Sequence, residues 1–485
     1  MSLQMVKIRG VPHVVRPRVL TSLAAHARSV AFFIAVPSFI FTFRFFGFHG
    51  AKLLSLTVLA STVAATLLFW RFRLAFVIGG TALLLGTRLL DVDSMIHAMN
   101  LDVIVFLACM MIVAEFAENA GFTHWIAYQV LRICHMDIRR VVVGLLVLSA
   151  VFAALVDEVT TILFIYSVIL AFCKAFDLDP KPLVIPTVFA INVGSTATVL
   201  GNPVGILLAM RAHLTFEDFI RWATPISVVC LGVVIGFTLL FYRKTYRDYQ
   251  NHINALLKEG VILDYHQHVH DKREFFLGAF IFLGTIALIA LHHRIELILG
   301  LEKNSFLIIA AMVGSFAILV SERDRARELV ESGIDWWTLF FFMFLFACVE
   351  TLTYTGVTKD IAAGFIATAK GDLLYTAILL SVTAAPFCAL IDNVPAVATL
   401  IPVVHELGAQ GMHIDPLWWV LLFSACLSGN ATYIGSTANI VALGLMERHH
   451  EGIELREWVV PGVLVAALTI LVAMALLMLQ FPYMR

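Results

Sequence analysis

Two long apolar runs, residues 139–176 and 372–406, each carry an aspartate near the middle. The first contains VDEVTTILFIYS (Val156–Ser167) and the second IDNVPAVATLIP (Ile391–Pro402), placing Asp157 and Asp392 in matching apolar surroundings. A straight helix in hydrocarbon does not tolerate such residues. Non-helical backbone at membrane depth is allowed only where protein or a water-filled cavity satisfies its polar groups. Both runs are therefore expected to form helical hairpins that enter a bilayer and turn back.

The membrane setting follows from composition. The chain of 485 residues is 60% hydrophobic and 14% charged, with a mean hydropathy of +0.92. A soluble domain of this size could not hide that much apolar surface. Apolar runs of about 18 residues, the length needed to cross a bilayer, recur throughout. They lie at 29–47, 52–70, 73–90, 101–118, 139–176, 182–211, 222–242, 275–292, 303–320, 337–354, 372–406, 415–446 and 458–481. With two runs set aside as hairpins, about eleven crossings remain. The formal charge of −1 points to no nucleic-acid partner, and the seven scattered cysteines form neither a disulfide framework nor a zinc motif. No small-residue cleavage site follows the first apolar run, so a retained first helix is expected.

Basic residues set the expected orientation. A cytoplasmic N-terminus puts Arg71, Arg73, Arg132, Arg139, Arg140 and the stretch 243–274 inside, with the C-terminus outside. Arg211, Arg221, Arg294 and Lys303 break the pattern. The stretches 122–137 and 356–370 are too polar to span and read as interfacial helices.

The chain also matches itself at a shift of about 235 residues. Glu115 falls on Glu350, Asp157 on Asp392 and Glu158 on Asn393. STATVLGNPVG (Ser195–Gly205) falls on GNATYIGSTAN (Gly429–Asn439). An odd number of crossings per copy inserts the copies in opposite directions, which predicts an inverted-topology repeat. The expected layout begins with a cytoplasmic N-terminus and an extra first helix over residues 1–50, followed by repeat 1 over 51–242. A cytoplasmic linker, 243–274, leads to repeat 2 over 275–485. Within each copy, 182–211 and 415–446 read as broken helices whose freed backbone ends can hold ions or polar solutes. A small-residue packing seam is the alternative. It explains the glycines but not Asn202, Asn430 and Asn439 together with carboxylates.

At these residues the chain resembles the ion transporter superfamily. That group includes arsenite/antimonite efflux permeases, the melanosomal P protein, NhaD-type sodium/proton antiporters and divalent-anion/sodium symporters. VDEVTT, IDNVPAVATLIPV, GSTATVLGNPVGILL and ACLSGNATYIGSTANIVALGLMER (Ala425–Arg448) carry the resemblance, which spans roughly residues 50–480. It implies an all-α polytopic membrane protein with elevator-type alternating access, and some members are dimers. Glu158 stands where that superfamily usually shows Asn, and the Ser-Asn-Thr hairpin tips of the divalent-anion symporters are missing. Both departures favour protons or a cation at the site, since carboxylates repel an anionic substrate.

The expected ion- and solute-binding residues are Asp157, Glu158, Thr160, Ser195, Thr196, Thr198 and Asn202 in the first copy. In the second they are Asp392, Asn393, Asn430, Thr432, Ser436, Thr437 and Asn439. Cys348, Cys388 and Cys426 are candidate thiol contacts for a soft solute. The first expectation is proton-coupled efflux of arsenite or antimonite, or a similar small inorganic solute, with an ATPase subunit as a conceivable partner. Sodium/proton antiport, di- or tricarboxylate transport and a passive channel stay open. No cofactor beyond the coupling H+ or Na+ is expected. The location is an integral position in a prokaryotic inner membrane. An enzyme reading fails at HELGA, where Ala409 replaces the second histidine of a zinc-protease motif. HQHVH (His266–His270) reads as a solvated loop, and Glu115 and Glu350 are intramembrane acids without an assigned role.

Overall fold

The computed structural model describes residues 18–69, 72–134, 137–258, 272–448 and 452–484. The HQHVH stretch lies outside them. Among the described residues the chain is helical, with no β-strand. The first half runs α1 (Arg18–Phe45), α2 (Gly50–Leu68), α3 (Arg73–Gly86), α4 (Val92–Ala98), α5 (Leu101–Asn119) and α6 (Phe122–Ile133). It continues with α7 (Ile138–Leu155), α8 (Glu158–Phe176), α9 (Lys181–Gly194), α10 (Pro203–Ala212), α11 (Phe216–Asp218) and α12 (Thr224–Phe241). Then come α13 (Arg243–Lys258), α14 (Lys272–Ala290), α15 (His292–Leu299), α16 (Ser305–Ser321), α17 (Ala326–Ser332) and α18 (Trp336–Tyr354). The last six are α19 (Val357–Ala369), α20 (Leu373–Leu390), α21 (Asn393–Ala409), α22 (Asp415–Ser428), α23 (Thr437–Arg448) and α24 (Leu455–Gln480).

Seven helices in the described residues are long and apolar enough to cross a membrane, or eight if α4 and α5, bent by 44°, form one span. Three of the seven, α7, α8 and α20, lie inside the runs read as hairpins, so three of the four hairpin arms have spanning length; the fourth, α21, has 17 residues. The outer surface is apolar where a soluble protein would be polar. Phe33, Phe41, Phe276, Phe280 and Phe316 are largely exposed on α1, α14 and α16. Exposed aromatic and aliphatic side chains at this density match a lipid-facing wall.

Sequence punctuation accounts for the helix boundaries near the site. Asp137 caps α7 by accepting the Arg139 and Arg140 N–H groups, and Asp372 caps α20 by accepting that of Tyr375. Each arm ends where a second aspartate starts the next helix: Asp157 caps α8 and Asp392 caps α21. Packing is paired. α7 packs on α9 and α20 on α22; α9 packs on α12 and α22 on α24; α12 and α24 pack on each other. α5 lies against α16, and α3 against α18.

Residues 243–258, expected as part of a polar linker, form the helix α13. Its Tyr246 hydroxyl donates to the Pro182 carbonyl (2.7 Å) and its Tyr249 hydroxyl to the Asp179 carbonyl (2.8 Å). Gln250 Oε1 accepts the Ile138 N–H at 2.8 Å. Burial pushes the Tyr246 phenol well above its usual range, so it stays a donor. The helix thus fastens the starts of α7 and α9 together.

Candidate functional site

Two interruptions of regular helix carry the candidate site. Between α9 and α10 the chain turns through 195–202, and between α22 and α23 through 429–436. Glycine is required at both, because the backbone folds back on itself. A Cβ on Gly201 would lie 2.2 Å from the Ser195 carbonyl oxygen, and one on Gly435 2.7 Å from that of Gly429. Each interruption is tied to the neighbouring hairpin by a threonine. Thr198 donates to the Ala154 carbonyl and Thr432 to that of Ala389. Those carbonyls end α7 and α20 and have no partner within their own helices.

The first interruption is closed on itself. Asn202 caps α10 by accepting the Gly205 N–H at 2.7 Å. Its amide donates to Ser195 Oγ at 2.8 Å and reaches Cys426 Sγ of α22 at 3.3 Å. Thr196 pairs with Ser227 of α12 at 2.7 Å. The second interruption is organised by a residue outside the expected set, Asn192 of α9. Its amide donates to Asn430 Oδ1 (2.7 Å) and Asn439 Oδ1 (2.9 Å). Asn439 in turn donates to the carbonyls of Gly429 and Thr432, both at 2.7 Å. The Ser436 hydroxyl stands 3.1 Å from Asn192 Oδ1 and 3.2 Å from Glu158 Oε1, and its single proton serves one of them. One fully buried network therefore joins α8, α9 and the interruption before α23.

The acids sit at its edges. Asp157 is half-buried; one oxygen accepts the Val159 and Thr160 N–H groups at 2.7 and 2.9 Å. Asp392 is buried and accepts the Thr437 hydroxyl at 2.7 Å. Among the described residues, Glu158 is buried with Oε2 unpartnered, and Asn393 Oδ1 and Asn430 Nδ2 are buried without partners too. Buried polar atoms without partners are rare and costly. Unpartnered oxygens on Glu158 and Asn393 and an unpartnered amide nitrogen on Asn430 suit a cation, a proton or a hydroxyl-bearing solute.

The remaining expected residues divide. Cys426 touches the first interruption through Asn202, and Cys388 is buried in the last turn of α20, just before Asp392. Cys348 is placed elsewhere, against Thr81 Oγ1 (3.2 Å) and the Val77 carbonyl of α3. Arg73, read as an inner-loop cation, is buried. Its guanidinium donates to Thr338 Oγ1 at 2.5 Å and lies 5.2 Å from the centroid of the Phe341 ring. It is also within electrostatic reach of Asp392. The signal for Asn192 was available, since it is an amide inside the apolar segment PLVIPTVFAINVG.

A helical protein with spanning helices, a lipid-facing wall and a buried polar centre at helix interruptions defines a polytopic membrane transporter. The family model described as "Citrate transporter" matches residues 53–424, and the chain belongs to that family. An uncharacterized transporter of Mycobacterium tuberculosis is 31% identical over 385 residues, 78% of this chain and 86% of its own length. The P protein of Homo sapiens is 26% identical over 456 residues, covering 79% of this chain and 54% of that protein. Among solved structures, the Alcanivorax borkumensis YdaH transporter shares the fold with a TM-score of 0.54 at 16% identity, over 81% of this chain and 90% of that one. The Neisseria gonorrhoeae MtrF structure, titled as illuminating a class of antimetabolite efflux pumps, has a TM-score of 0.50 at 11% identity, over 82% and 83%.

Proposed function

We propose that the chain is a cation-coupled secondary transporter in which Glu158 and Asp392, with Asp157 beside them, bind the coupling ion. One observation carries this reading: among the described residues, Glu158 Oε2 is a buried acceptor without a partner in a network that spans both halves of the chain, and Asn393 Oδ1, next to Asp392 in the sequence, is another. A proton is the first coupling ion. Carboxylates freed from water bind a proton more readily, and an acidic compartment loads them. Sodium is the second, because oxygen ligands suit a hard cation.

An inverted repeat frames this site. Gly121 and Gly356 both take left-handed φ values, 78° and 79°, before α6 and α19, and the capping aspartates fall at the same spacing of about 235 residues. The paired packing of α7 on α9 and α20 on α22 supports the same reading. Alternating access then comes from motion of the hairpins and broken helices against the remaining helices, with the N-terminus inside and the C-terminus outside.

A small carboxylate is the solute favoured by the family match. A second reading, arsenite or antimonite, is favoured by the buried Cys426 thiol beside Asn202 of the first interruption. Uptake of labelled citrate, arsenite and sodium into proteoliposomes, with a pH-sensitive dye, separates them. Carboxylate uptake against its gradient, driven by protons, is expected. Downhill-only flux of every solute contradicts the transporter reading.

A further inference from the structure

Arg211 and Glu350 had no role in the sequence: one breaks the positive-inside pattern, and the other is an acid in an apolar run. They line the same cavity, of about 620 Å³, between α4, α10, α18 and α21. Two of these elements continue the proposed transport machinery, since α10 follows the first interruption and α21 is the second arm of the hairpin at Asp392. We propose that this cavity is an access site for a small carboxylate and that Arg211 recognises it. The inference rests on the transporter reading above and assigns a binding residue outside the buried network.

Arg211 stands in the last turn of α10, where the helix dipole favours a cation. That accounts for a basic residue there, not for its place in a cavity wall. Its guanidinium offers five N–H donors in a planar fork shaped for carboxylate. Among the described residues, the one carboxylate within 4 Å is that of Asp102, with Oδ1 3.6 Å from Nη2. That is too long for a strong hydrogen bond, so most of the fork's donor capacity remains for a second anion. His97, His405 and Asn100 line the same walls. Glu350 and Glu406 also line the cavity and oppose highly charged anions. They bias the site toward carboxylates of low charge and give Glu350 a selective role: it competes with the solute for Arg211.

Titration of succinate and citrate into the purified full-length protein in nanodiscs tests this, with the less charged succinate expected to bind more tightly. Arg211→Gln should weaken binding of at least one by roughly 10- to 100-fold, the range of a lost charge-assisted hydrogen bond. Arg211→Lys should lose less, keeping charge without the fork, and Glu350→Gln should tighten binding several-fold. Unchanged melting temperatures show that the variants fold. Wild-type affinity in Arg211→Gln overturns the proposal, as does weaker binding in Glu350→Gln or no binding by the wild-type protein. Citrate uptake that ignores every cation gradient, with Arg211-dependent binding intact, sinks the coupling reading and leaves this site standing.

Discussion

At the scale of single residues, Asn192 holds the site together. Its amide donates both hydrogens, and among the described residues it is the one that meets Asn430, Asn439 and Ser436 at once. Asn192→Ala strands two buried amide oxygens, each costing about 1–3 kcal/mol. Thermal unfolding in detergent should show a drop of that order, with solute flux lost even below the new transition; unchanged stability would mean the network is already open to water. The polar residues at the interruptions were legible in the sequence because Gly, Asn and Pro have few other reasons to cluster in an apolar run. Asn192 was not singled out because it lies inside regular helix, where no break marks it. Cys348 is a candidate in the sequence as a thiol in the second copy, but a helix has several faces, and this cysteine turns toward Thr81. Which face a residue occupies depends on neighbours hundreds of positions away.

At the scale of elements, the aspartates are both caps and candidates for chemistry. Asp157 satisfies two N–H groups at the start of α8, which alone would justify it. The run boundaries 139–176 and 372–406 anticipated α7–α8 and α20–α21 to within a few residues, since apolar length and a capping residue fix both ends. The helix at 243–258 was hidden in a stretch read only for its charge. Its role comes from Tyr246, Tyr249 and Gln250, spaced to reach the starts of α7 and α9. Replacing both tyrosines with Phe removes two hydrogen bonds of about 1 kcal/mol each. Hydrogen exchange across 243–258 and at the start of α9 should then quicken. Exchange at the wild-type rate would mean that apolar packing alone holds α13.

At the scale of the whole molecule, the proposed inverted repeat predicts sidedness. Single cysteines at Lys258 and Tyr483 should lie on opposite faces, so that a membrane-impermeant reagent applied from outside labels only the second. Labelling of both would give the two halves the wrong relation. The central claim is that a buried acid centre couples solute movement to a cation, and charge removal without loss of shape tests it. Asparagine caps a helix about as well as aspartate but cannot take up a proton. The decisive measurement is proton-driven, counter-gradient solute uptake in proteoliposomes bearing Asp392→Asn or Glu158→Gln. The account predicts variants that insert and fold normally, still exchange solute downhill, and no longer accumulate it on a pH gradient. Full pH-driven accumulation by both variants would contradict it, leaving Asp392 as a structural cap and Glu158 outside the coupling.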